Sequence, residues 1–136
     1  MKKYLLDTNI CIYYIKGKYE VQQKIEEVGI ENCYISIITV AEMQYGVAKG
    51  SEENKEKNQE AMQKFVGGVE ILPLEKCIPI FAEIKTTLRK TGKIVDDFDL
   101  LIGATAISHD LTLVTRNVKH FERMENIKIE NWTEEQ

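Results

Sequence analysis

Short apolar, β-branched stretches that alternate with segments of helical period are what most limit the folds open to this chain. Residues 4–6, 34–37, 69–72 and 111–115 each read as a buried strand, and 127–129 adds a short fifth. Between them lie helical patterns. Ile10, Tyr13 and Tyr14 precede Gly17, and Val21, Ile25 and Val28 precede Gly29. Residues 39–49 put Val40, Met43 and Val47 on one stripe. Residues 51–65 are polar except Ala61, Met62 and Phe65, a solvated helix whose far end packs. Residues 75–90 form a long amphipathic helix stopped by Gly92, and 97–109 is almost wholly apolar after Asp99.

Strands that alternate with helices pair in parallel, because each return needs a crossover. The expected fold class is therefore α/β: a compact α/β/α sandwich around a mostly parallel sheet of four to five strands, with helices on both faces. No linker, repeat or low-complexity stretch interrupts the sequence, so residues 1–136 are expected to form one domain.

In such sheets, ligands gather at the carboxyl ends of the strands. Asp7 follows the first strand. Glu42 lies early in the helix after the second, and Asp99 opens the helix that leads into the fourth. Thr115, Arg116 and Asn117 follow that fourth strand. Each acid has an ordinary structural explanation: Asp7 as a helix cap, Glu42 as a surface residue, Asp96, Asp97 and Asp99 as partners of a helix N-terminus. As a set they mean more. Three converging carboxylates repel unless a cation neutralises them, and with no Cys or His among them the matching ion is hard, Mg²⁺ or Mn²⁺.

The formal net charge of −4, from 22 acids and 18 bases, argues against broad positive attraction to nucleic acid. Its distribution changes that. Segment 51–64 carries −1 and segment 125–136 carries −3, leaving the remainder balanced at 14 acids and 14 bases. With Asp7, Glu42 and Asp99 set aside as ligands, that remainder is +3. Bulk charge does not exclude RNA. Cys11, Cys33 and Cys77 are odd in number and widely spaced, which suits reduced, buried thiols. Lys2 and Lys3 precede an apolar run that Asp7 breaks, and no run approaches a membrane span of roughly 20 residues. A cytoplasmic location and no membrane partner are expected.

Taken together, these residues resemble the PIN-domain ribonuclease toxins of VapBC toxin–antitoxin modules. Leu5, Leu6, Asp7, Thr8 and Asn9 look like the opening motif of that family. Thr39, Ala41, Glu42, Tyr45 and Gly46 are similar to its second block, and Asp99, Leu100, Leu101, Ile102, Ala104 and Ala106 to its third. Leu113, Val114, Thr115, Arg116, Asn117, His120 and Phe121 resemble the closing block. The resemblance implies a PIN-like sandwich and Mg²⁺- or Mn²⁺-dependent endoribonuclease activity on structured RNA, including tRNA. It also implies a VapB-like antitoxin partner and a homodimer. Many PIN domains carry a fourth acid in the closing block, where this chain has Asn117. The number of resting metals therefore stays open, and Asp96, three residues before Asp99, is a weaker candidate ligand.

The expected mechanism is metal-assisted phosphodiester hydrolysis leaving a 5′-phosphate and a 3′-hydroxyl. Asp7 and Asp99 bind the ion, and Glu42 completes the shell directly or through water. Thr115 and Asn117 position water or phosphate, and Arg116 and Lys119 are candidates for gripping the RNA backbone. His120 is not required as a base. Tyr13 and Tyr14 are candidates for stacking on bases, but neighbours on a helix point apart, so at least one belongs to core or interface. Two other readings stand beside this one. The first is a non-catalytic or regulatory RNA-binding PIN domain, suggested by Asn117. The second is a phosphoacceptor receiver domain, opposed by Pro73 and Leu74 where a receiver has its phosphoacceptor Asp after the third strand.

Overall fold

The structure, a computed structural model, describes residues 2–134. Five three- or four-residue strands form one sheet: β1 (Tyr4–Leu6), β2 (Cys33–Ser36), β3 (Glu70–Leu72), β4 (Thr112–Val114) and β5 (Lys128–Glu130). Their spatial order is β3-β2-β1-β4-β5, and every pairing is parallel. Leu5 lies opposite Tyr34 on one side and Leu113 on the other, so β1 is central.

The crossovers are helical: α1 (Thr8–Lys16), α2 (Val21–Val28), α3 (Ile37–Ala48), α4 (Glu52–Gly67), α5 (Ile78–Lys90), α6 (Asp97–Ser108) and α7 (Val118–Phe121). Strand side chains alternate between faces, and the core splits accordingly. Leu6, Ile35 and Val114 join Ile10, Val21, Ile25, Met43 and Phe65 on one face. Leu5 and Leu113 join Leu88, Leu100, Ile102 and Phe121 on the other. Burial on both faces explains why the strands read as apolar runs rather than alternating ones.

The starts of two helices differ from the sequence expectation, and one further element is present. Ile37 opens α3 instead of ending β2, because the Ser36 side chain accepts the Ile38 N–H at 3.0 Å and starts the helix there. Residues 75–90 are not one helix: Glu75–Cys77 is a 3₁₀ turn, and α5 begins around Pro79, whose missing N–H is harmless only in a first turn. The short α7 is additional. Among the described residues no helix is long and apolar enough to cross a membrane. Cys11, Cys33 and Cys77 are all free and buried.

Candidate active site

The strand order reverses between β1 and β4, since β2 and β3 extend the sheet one way and β4 and β5 the other. Loops leaving the two strands at such a point splay apart and open a crevice. Asp7 and Thr115 directly follow these strands, and the Asp7 N–H donates to the Val114 carbonyl at 2.9 Å, continuing the ladder.

Asp7 is only 5% exposed and caps α1. Its Oδ1 accepts from the Thr8 N–H at 2.8 Å, and its Oδ2 accepts from the Thr115 hydroxyl at 2.8 Å. Burial pushes its carboxyl up to about 6, against the pull of those two hydrogen bonds, and the nearby charges of Asp99 and Glu42 push the same way. Two loop atoms brace the Thr115 hydroxyl's position, because its oxygen also accepts the Asn117 N–H at 3.0 Å.

Glu42 sits half-buried on α3, one turn after the fully buried Thr39. The Thr8 hydroxyl donates to Glu42 Oε1 at 2.6 Å and lies 3.1 Å from the Thr39 hydroxyl. Thus Thr8 uses its backbone on one acid and its side chain on the second. Asp99 lies in the first turn of α6, half-buried, with Oδ2 3.2 Å from His120 Nδ1 on α7.

The other candidates are placed differently. Asp96 is exposed and caps α6, its Oδ2 accepting from the Phe98 N–H at 3.1 Å. Asp97 is exposed and pairs with Lys85 at 2.9 Å. Asn117 and Lys119 are exposed beside the crevice. Arg116 is exposed too, but its Nη1 donates to the hydroxyls of Tyr13 at 3.2 Å and Tyr19 at 2.7 Å. Tyr14 points the opposite way and packs on Phe65, ring centroids 5.1 Å apart. Thr8, Thr39 and Tyr19 gained no site role from the sequence. Thr39 carried a usable signal, its three-residue spacing from Glu42 on one helix face.

Among the described residues no group of three His, Cys, Asp or Glu side chains stands ready-made around a cation. Each acid instead has a close polar partner: Asp7 accepts from Thr8 and Thr115, Glu42 accepts from Thr8, and Asp99 lies beside His120 Nδ1. The donor chemistry nonetheless suits a hard ion, because Asp7 is a buried carboxyl whose ionisation is opposed by two further carboxylates.

The chain matches the PIN domain family over residues 4–127, nearly its whole length. It belongs to that family. Among its relatives, Ribonuclease VapC2 of Rickettsia felis is 40% identical over 132 residues, 95% of this chain and 97% of the relative. The tRNA(fMet)-specific endonuclease VapC of Salmonella typhimurium is 34% identical over 133 residues, 97% of this chain and 99% of the relative. Solved structures agree. VapBC2 from Rickettsia felis, bound to a DNA fragment from its promoter, superposes with a TM-score of 0.86 at 40% identity over 95% of this chain and 98% of its counterpart. DNA-bound VapBC from Salmonella typhimurium gives 0.88 at 31% identity over 97% and 99%. The protein is accordingly a VapC-like PIN-domain toxin with the activity class of a ribonuclease. In this VapC-like chain Asp7 lies close enough to Glu42 and Asp99 for both charges to act on it, while Asp96 and Asp97 are exposed.

Proposed function

We propose that this VapC-like protein cleaves structured RNA, tRNA first among candidates, by divalent-cation-assisted hydrolysis that leaves a 5′-phosphate and a 3′-hydroxyl. One observation carries the reading: a buried carboxyl at the switch point, held near 6 by burial and by two more acids, is a site with an excess of negative charge. Asp7 and Asp99 would hold Mg²⁺ or Mn²⁺, with Glu42 completing the set directly or through water. When bound, the ion supplies Lewis acidity that lowers the pKa of an attacking water and stabilises charge growing on the phosphate.

The chain's own residues do the rest. Thr115 spends its one hydroxyl proton on Asp7 and thereby fixes that carboxylate's rotation. Thr8 does the same for Glu42. The exposed Asn117 would hydrogen-bond a water or phosphate oxygen, and Lys119 and Arg116 would hold the backbone. Asp96 acts as the cap of α6, with a weaker claim on a second ion. His120 orients Asp99 rather than serving as a base.

The tRNA assignment draws support from the relative whose name specifies tRNA(fMet). A VapB-like antitoxin is the matching partner, since both similar complexes are VapBC assemblies. A cavity of about 300 Å³ between α1, α3 and α4 suits an apolar antitoxin segment. Ile12, Ile15, Met43, Val47 and Met62 line it, together with Glu42. We also assign a homodimer and a cytoplasmic location. The test is cleavage of total RNA by the purified chain with Mg²⁺, its loss in EDTA, and its loss in Asp7→Asn. Undiminished metal-dependent cleavage by a folded Asp7→Asn protein refutes the assignment. RNA binding without cleavage under any divalent ion supports the regulatory alternative.

A further inference from the structure

The residue between Thr115 and Asn117 is held more elaborately than an exposed arginine needs to be. Arg116 Nη1 donates to two phenol oxygens, Tyr19 at 2.7 Å and Tyr13 at 3.2 Å. Its guanidinium carbon also lies 4.9 Å from the Tyr19 ring centre and 6.0 Å from that of Tyr13. The two rings meet edge to face, 4.8 Å apart at 69°. Tyr19 reaches this position from a turn in which it and Glu20 both adopt left-handed backbone, at φ 56° and 58°, a conformation bulky residues rarely accept. Ninety-seven residues of sequence separate Tyr19 from the arginine it meets.

We propose that Tyr13 and Tyr19 are positioning residues that pre-order Arg116 to grip an RNA phosphate neighbouring the scissile one. This rests on the ribonuclease reading above. A guanidinium has five N–H donors. The tyrosines engage Nη1 and leave the donors of Nε and Nη2, the edge whose fork geometry matches two phosphate oxygens. A long side chain already confined by two rings loses less freedom on binding than one swinging in solvent. The short segment 115–117 also sets the register, since the Thr115 hydroxyl holds Asp7 while the next residue carries the guanidinium. Base stacking by Tyr13 is disfavoured because its ring is engaged by Tyr19 and Arg116.

The test measures the Kd of the full chain for a labelled RNA hairpin in EDTA across a salt series, so that it does not depend on cleavage. Arg116→Ala is expected to weaken binding about ten-fold and to lower the slope of log K against log salt by roughly 0.7–0.9, one phosphate contact. Tyr19→Phe keeps the ring and removes the 2.7 Å bond. It is expected to weaken binding about three-fold in the native background and not at all alongside Arg116→Ala. Arg116→Lys should restore the slope but not the full affinity, because an ammonium cannot fill the planar cradle. Equal Tyr19→Phe effects in both backgrounds would overturn the proposal, as would an unchanged salt slope in folded Arg116→Ala, or no RNA binding by the native chain. Binding that behaves as expected, with no Mg²⁺-dependent cleavage, leaves this inference standing and removes catalysis alone.

Discussion

Asp7 and Asp99, the two proposed cation ligands, stand in opposite physical situations. Asp7 is locked: 5% exposed, both oxygens hydrogen-bonded, seated where the central strand becomes a helix. Asp99 is half-buried beside an exposed imidazole, with the exposed Asp96 and Asp97 on the same turn. The first site is preorganised at the expense of stability, because a carboxylate there is ionised against its surroundings. The second costs the fold little and can exchange its partner. A crevice built this way has one fixed wall and one adjustable wall.

The largest expected effect erases the contrast. Asp7→Asn and Asp99→Asn should each abolish RNA cleavage, a loss of about 10³-fold or more, since both are proposed to hold the ion. Residual cleavage near the native rate in either folded variant breaks the pairing.

Stability should then separate the two. The folded Asp7 carboxyl titrates at about 6, above its usual 3.8. The raised value means that its contribution to stability is fully present below 3.8 and is lost as pH rises through about 6. In EDTA at pH 7, Asp7→Asn should therefore stabilise the fold, by up to about 3 kcal/mol, with the gain vanishing near pH 4. Asp99→Asn should stay within about 0.5 kcal/mol. Denaturant melts at both pH values check this, and a destabilised Asp7→Asn protein at pH 7 contradicts it.

Thr115→Val sharpens the account of the fixed wall. It removes a hydrogen bond that holds the Asp7 carboxyl down, so the acid limb of the cleavage–pH profile should move to higher pH, with a stability loss of about 1–3 kcal/mol. An unmoved acid limb means that Asp7 does not govern it. The smallest effect belongs to the adjustable wall. His120→Ala should change stability by less than about 0.5 kcal/mol and cleavage by only about two- to three-fold, because the imidazole is exposed and Asp99 remains.

The fixed wall was also the more readable one. Asp7 stands out because an apolar run stops at an acid that caps a helix, a purely local signal. Glu42 and Asp99 became legible as members of a set. The hydroxyls that hold them were not, since Thr8 acts on Glu42 across 34 residues of sequence and Thr115 on Asp7 across 108. Residue types that favour strands carried Ile37 into β2, where the Ser36 cap overrules them. Pro79 is a local signal that belongs in a first turn, and it divides the expected 75–90 helix. The four residues of α7 are too few to show a period. Nothing in the sequence around Tyr19 announces a left-handed tyrosine or its contact with Arg116, 97 residues away.

The 108-residue separation between Asp7 and Thr115 has a consequence for synthesis. At roughly 5–20 residues per second, a ribosome takes about 5–20 s to travel from one codon to the other. Throughout that interval β1 lacks its β4 partner, and the carboxylate lacks the hydroxyl that orients it. A nascent chain is thus harmless for most of its translation, even while its first acids have already emerged. The candidate site is therefore completed late, only once the fourth strand has been made.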